Sequence, residues 1–161
     1  LDQQDRLFEP FKKGTNYFAH GYTFGGHPVS AAVALKNIEI MEREGLLARA
    51  ARVGGYFETR MKELEALPLV GQVRGKKLML CVENVANKAT KELLPDEVGE
   101  SKRISNLCEE MGLIVRPIGH LNVMSPPLII SEGDVDFIAE TLEKAIRKVG
   151  DDLTREGIRI G

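Results

Sequence analysis

No run in this chain approaches the roughly 18 consecutive apolar residues of a membrane-crossing helix, and no signal-peptide pattern opens it. A membrane partner is therefore not expected, and a cytoplasmic protein is. Excess charge of either sign is also missing: 22 Lys and Arg stand against 24 Asp and Glu, a formal net charge of −2. Bulk electrostatics give no support for a nucleic-acid partner. Cysteine is scarce. Cys81 sits in a strand-like apolar run and Cys108 on a helix face, so two buried thiols in a reducing compartment are expected rather than a disulfide. The three histidines, His20, His27 and His120, offer no zinc-ligand spacing. No nucleophile stands in a recognisable arrangement with a base. There is no methionine before Met41, so Leu1 is not an ordinary translation start and the chain is expected to be a piece of something longer.

What is present is an ordinary folding composition, 43% hydrophobic and 29% charged over 161 residues. That length suits one domain burying about 70% of the surface its unfolded chain exposes. Residues 1–26 mix Phe8, Phe11, Tyr17 and Phe18 with charges and glycines, and read as a connector. Residues 27–161 read as a small domain with its leading helix. Helical spacing of Ala31, Ala34, Leu35, Ile38 and Met41 predicts a helix over 28–44, stopped by Gly45. A second helix is expected over 46–67, its seam running through Leu47, Ala50, Gly54, Phe57, Met61 and Leu64. Gly54-Gly55 in its middle costs about 1 kcal/mol per glycine relative to alanine, which a close helix crossing would offset.

Residues 69–73 and 77–83 read as strands around Arg74-Gly75, and 84–99 as a loop. Ile104, Leu107, Cys108 and Met111 mark a helix stopped by Gly112. Short strands are expected at 113–116, 122–124 and 128–130. A final helix is capped by Ser131 with Asp134 three residues on, and its stripe runs through Val135, Ile138, Ala139, Leu142, Ile146 and Val149. The order predicts an α/β class, in α+β form, with a small, mostly antiparallel sheet covered by helices.

The block His20-Gly-Tyr-Thr-Phe-Gly-Gly-His-Pro28 runs straight into the first of these helices. Proline suits a first helical turn, glycines admit close approach of a ligand, and a helix start favours an anion such as phosphate. An ordinary loop-to-helix junction has the same composition. Arg116, at the end of the apolar run Leu113-Ile-Val, should have a carboxylate, phosphate or carbonyl partner if it is carried on a buried strand. Its guanidinium could fork onto a substrate carboxylate or close a structural salt bridge. His27 and His120 read as helix-start or loop hydrogen-bonders, Arg74 as a solvated turn, and Asp151-Asp152 as part of a surface charge cluster.

Four ordered segments together resemble the C-terminal part of class III aminotransferases. They are Phe18-Ala-His-Gly-Tyr-Thr-Phe-Gly-Gly-His-Pro-Val-Ser-Ala-Ala-Val-Ala-Leu35, Gly71-Gln-Val-Arg-Gly75, Gly112-Leu-Ile-Val-Arg116 and Ser125-Pro-Pro-Leu-Ile-Ile130. The resemblance implies the fold-type-I architecture, the cofactor pyridoxal 5'-phosphate and a homodimer. His27-Pro28 is more like the ω-amino acid or amine:pyruvate branch. Carried over, the family's threonine in the H-G-x-T block becomes Thr23, which would bond the cofactor phosphate of the other subunit, with the Tyr22 backbone N–H as companion. The family arginine that pairs the substrate carboxylate, and swings aside for uncharged amines, becomes Arg116. Lys76-Lys77-Leu-Met departs from the usual glycine-leucine-methionine run. The family's catalytic lysine would fall before Leu1, and neither Lys12 nor Lys13 lies in its setting.

The implied activity is transfer of an amino group from an amine or ω-amino acid to a keto acid such as pyruvate. The alternatives are a non-catalytic dimerisation or regulatory domain, or a racemase, decarboxylase or aminomutase of the same architecture. The 161-residue chain alone is expected to be inactive. Mixed with pyridoxal phosphate and an amine, it should neither hold the yellow cofactor through gel filtration nor transaminate, and success at both would overturn the assignment of the lysine to an upstream segment.

Overall fold

A computed structural model of the chain describes residues 3–12 and 20–161. Tyr17 and Phe18, read above as part of the connector, lie outside the described residues, as does Lys13. The chain divides into two compact units, Leu1–Ile40 and Met41–Gly161.

The first unit contains helix α1 (Gln3–Lys12) and most of helix α2 (Pro28–Arg43). The mixed pattern of residues 1–26 hid α1, because Pro10 lies inside it and a helix-interior proline argues against a helix. Lys12 steadies its last turn, 2.7 Å from Glu9 and 5.3 Å above the Phe8 ring. The second helix starts at Pro28 as its sequence requires, the missing N–H falling where no helix partner exists. None of its residues is buried; Val29, Val33, Leu35 and Ile38 are all exposed.

In the second unit Gly45, at φ 60°, makes the left-handed turn that leads into α3 (Leu46–Lys62). The helix then tightens into a 3₁₀ turn, Glu63–Ala66, rather than running α-helical to residue 67. Its buried face is Leu46, Val53, Gly54, Phe57 and Met61, while Leu47 is exposed, so the start of the seam is rotated by one position from the expected one. Strands β1 (Val70–Lys76) and β2 (Met79–Asn84) form an antiparallel hairpin with Val73 opposite Val82. The chain reverses at Lys77-Leu78, not at Arg74-Gly75. Gly75 instead lies within β1 at φ 131°, where an added Cβ would sit 2.0 Å from the Met79 carbonyl oxygen.

That reversal explains Gly54. The close neighbour is not another helix but Lys77: a Cβ on Gly54 would come within 2.7 Å of Lys77 Cβ and 3.0 Å of its Cα. Glu58, one turn along α3, accepts the Lys77 N–H at 2.8 Å and its ammonium at 3.2 Å. Backbone and side chain together clamp the hairpin to the helix.

Helix α4 (Glu100–Glu110) follows, with Gly112 at φ 87° just beyond its end. Next come β3 (Arg116–Ile118) and β4 (Leu121–Met124). The strand expected over 113–116 begins only at Arg116, with residues 113–115 leading into it, so Arg116 opens the strand instead of ending it. Residues 128–130 form a turn rather than a strand, as the Pro126-Pro127 pair that precedes them cannot donate to a ladder. The four described strands make one antiparallel sheet in the order β1-β2-β4-β3. Alternate residues of β2, Leu80, Val82 and Asn84, are buried.

Helix α5 (Glu132–Arg155) has the expected capping box: Ser131 Oγ accepts the Asp134 N–H at 3.1 Å, and the Ser131 N–H donates back at 2.9 Å. Its predicted stripe is buried throughout, from Val135 to Val149. With Phe57, Met61, Val73, Val82 and Ile104 it forms the core. The α/β architecture, a small antiparallel sheet covered by helices, is as the sequence predicted.

Two stability predictions follow from these contacts. Gly54→Ala should lower the unfolding free energy by roughly 1–3 kcal/mol through overpacking against Lys77, whereas Gly55→Ala, whose Cβ meets only the flexible Lys77 ammonium at 3.4 Å, should raise it by about 0.5–1 kcal/mol. Urea melts of the two variants give opposite shifts if the Lys77 contact is as described. The second concerns acid. Asp136 accepts the Tyr56 hydroxyl at 2.7 Å and Arg60 Nε at 2.8 Å, and these bonds hold its carboxyl below its ordinary value. Asp134, Asp152, Glu58 and Glu156 are lowered likewise by their hydrogen bonds. A carboxyl depressed in the folded state stabilises it above the ordinary carboxylate range, and that contribution is lost as pH falls through the folded value. Thermal midpoints should therefore drop below about pH 4, and Asp136→Asn should make that acid limb shallower.

Candidate functional site

In the first unit, the glycine-rich block folds as two overlapping turns. The Gly25 N–H donates to Tyr22 O at 2.9 Å and the His27 N–H to Phe24 O at 3.1 Å. Gly26, at φ 76°, supplies the left-handed step between them. Helix α2 then opens: His27 O accepts the Ala31 N–H at 3.0 Å, and the Ser30 N–H points at His27 Nδ1 from 3.5 Å. His27 thus caps the helix, while the His20 ring stands edge-on to Tyr22 at 5.1 Å between centroids.

Tyr22 and Thr23, the two residues marked for a phosphate, are adjacent and exposed. Among the described residues the Thr23 hydroxyl and N–H have no protein partner, and no acid occupies the first turn of α2. Neutral donors just ahead of a helix whose first turn holds no carboxylate form a donor set that suits a phosphate dianion.

Arg116 belongs to the second unit. It is the first residue of β3, an edge strand, and pairs through its backbone with Val123. The expected burial is not found: Val115 is the last buried residue of the apolar run, and alternation along the chain turns Arg116 outward. Nor does its guanidinium have the expected protein partner among the described residues. The structural salt bridge is therefore absent there, and a forked carboxylate-binding group stands exposed at the sheet edge. Arg74, read as a solvated turn, lies in β1 and pairs with Glu83 at 3.0 Å. Asp152 is a surface charge between Lys148 and Arg155, as read. Cys81 and Cys108 are both free, and burial pushes the Cys108 thiol up to about 11.

One constellation escaped the sequence reading. Glu100, only 1% exposed, meets His120 Nδ1 at 2.9 Å, and His120 Nε2 lies 3.3 Å from the exposed Asp96. Beside this pair, buried Asn84 donates to Asn122 Oδ1 at 2.9 Å, and Asn122 donates to Ser101 O at 2.8 Å. Asn84 Oδ1 is buried without a partner among the described residues. The available signal was an asparagine in or closing each apolar strand, Val-Glu-Asn84 and Leu-Asn122-Val. Glu100, in a polar stretch, gave none.

The sequence model of the family described as "Aminotransferase class-III" matches residues 3–146. The chain therefore belongs to the class III aminotransferase family. It is 39% identical over 159 residues to a diaminobutyrate–2-oxoglutarate transaminase of Halomonas elongata, covering 95% of this chain and 34% of that one. A putrescine–pyruvate aminotransferase of Pseudomonas aeruginosa is 36% identical over 148 residues, covering 89% and 31%. Among solved structures, the PMP-bound form of an aminotransferase from Vibrio fluvialis superposes with a TM-score of 0.78 at 37% identity, covering 91% of this chain and 32% of that one. The chain thus spans about a third of the length of the relatives it matches.

Proposed function

We propose that this chain is the C-terminal part of a pyridoxal-phosphate-dependent aminotransferase that moves an amino group from an amine or ω-amino acid to a keto acid. The observation that carries the reading is the family match across residues 3–146, which includes the H-G-x-T block at the mouth of α2. Pyridoxal phosphate, when bound, supplies the electron sink that lets an amine exchange its nitrogen with a keto acid. This chain's own part is to bind and orient. Thr23, through its hydroxyl, and the Tyr22 N–H would hold the phosphate, helped by the partial positive charge of the helix start. Arg116 would take the carboxylate of an amino or keto acid in two parallel hydrogen bonds and so fix which end of the substrate faces the cofactor. An exposed guanidinium with no salt-bridge partner among the described residues supports that role, because no such bridge has to break first.

Relatives named for pyruvate and for 2-oxoglutarate are similarly close, so the acceptor is read as a keto acid, with pyruvate favoured by His27-Pro28. The assembled protein is read as a homodimer in which Thr23 serves the other subunit's cofactor, with residues 1–26 joining a preceding large domain to the small domain of 27–161. It is read as cytoplasmic, which the two free thiols support. Among the described residues no helix is long and apolar enough to cross a membrane.

Thr23→Ala in the full-length protein should weaken pyridoxal phosphate binding by roughly 10- to 100-fold, the worth of one hydrogen bond to a charged group. Equilibrium dialysis checks this, and unchanged affinity would sink the phosphate assignment. Arg116→Gln should raise KM for keto acids and for donors that bear a carboxylate and leave KM for carboxylate-free amines unchanged; steady-state kinetics with both donor types at saturating keto acid decides the clamp.

A further inference from the structure

We propose that Glu100 and His120 are positioning residues for Arg116, acting through the hairpin that carries it. The proposal rests on the reading of Arg116 as a carboxylate clamp. It starts from a mechanical problem. Strand β3 is three residues long, lies at the sheet edge and is paired on one side, to β4. So short an edge strand has little of its own to fix its direction, and a two-pronged hydrogen bond to a carboxylate requires a fixed direction.

The anchors come from beneath, and they sit at both ends of the strand. Just before Arg116, Val115 O accepts the Ser105 hydroxyl at 2.7 Å. At the far end, Gly119 makes the turn at φ 54°, and its carbonyl accepts the Ser101 hydroxyl. His120 O accepts two bonds from Asn84, one from the backbone N–H at 2.9 Å and one from the side chain at 3.0 Å. The His120 ring is then gripped by Glu100 at Nδ1, with Asp96 near Nε2. Glu100, Ser101 and Ser105 all lie on the buried face of α4. One helix therefore holds both ends of the strand.

Glu100 is the costly member. Glu100, 1% exposed, stands in the first turn of α4, where a helix start favours an acid, yet an apolar side chain of similar volume would fill the space at less cost. What an apolar residue could not do is orient an imidazole. The ring in turn sets the residue at which the chain turns from β3 into β4, four positions from Arg116. Glu100 and His120 touch no substrate in this scheme; their effect is on where the guanidinium points.

The test is a double-mutant cycle in the full-length enzyme, with KM measured at saturating keto acid for a donor bearing a carboxylate and for the matching amine without one. His120→Leu should raise KM about 10-fold for the carboxylate donor alone, with kcat unchanged. His120→Asn, whose amide nitrogen can stand in for Nδ1, should recover most of that loss. In an Arg116→Gln background, His120→Leu should have no further effect on KM. Equal losses on both donors, or effects that multiply independently while Arg116→Gln alone remains selective, overturn the positioning role and leave the clamp standing. If Arg116→Gln changes neither donor, the clamp itself fails and the positioning proposal falls with it. Should His120→Leu not accumulate as folded protein, Glu100→Met, which fills the space but leaves the ring without its Nδ1 partner, gives the same comparison with the same deciding outcomes.

Discussion

The buried stripe of α5 is the surface on which the second unit is assembled. Val135, Ile138, Leu142, Ile146 and Val149 recur along 24 residues of helix, and both α3 and α4 pack against it. Because α3 also bears on β1 and α4 on β3 and β4, the two ends of the sheet are located by helices that share one partner. The capping box at Ser131 and Asp134 fixes where that stripe begins, so a local hydrogen-bond pair at one residue sets the frame for the rest. Finer contacts are then small adjustments on this frame: Gly54 lets the β1–β2 turn approach α3, and the buried face of α4 meets the β3–β4 hairpin.

The two candidate binding groups are presented in different ways. Thr23 stands in a short pair of turns that leads into a helix, with a glycine at positive φ completing the curve, so its placement is set within a few residues of sequence. Arg116 projects from an edge strand, and its direction depends on groups distant in sequence, from Asn84 to His120. Such a division suits their proposed ligands. A phosphate is nearly spherical in charge and tolerant of approach, while a carboxylate is planar and demands alignment.

Elements whose pattern is local were legible in the sequence. Helix α5 could be read residue by residue, because its cap, its stripe and its charge gradient all agree. The Thr23 block was legible as a motif and as an anion-friendly helix start. What was not legible depended on tertiary neighbours. The β1–β2 turn was expected at Arg74-Gly75 because glycine so often marks a turn, but this glycine answers to the Met79 carbonyl across the strand. Helix α1 was hidden by Pro10. Arg116 looked buried because three apolar residues precede it, yet only Val115 among its immediate neighbours is. Glu100 was invisible for the opposite reason: a glutamate among polar residues reads as solvated, and only folding reveals the histidine it was sealed against.

Both margins of the sheet carry unpaired backbone groups, and the two are closed off differently. On β1 the outward N–H of Val73 is taken by the Glu65 carboxylate at 2.6 Å and its carbonyl by the Lys62 ammonium at 2.7 Å, while Lys91 reaches the Gly71 carbonyl at 2.5 Å. On β3 the middle residue is Pro117, which has no N–H to offer. A foreign strand seeking to extend this sheet would have to displace charged side chains at one rim and forgo a ladder bond at the other. Polymerisation by strand addition is thereby discouraged at each end of the sheet.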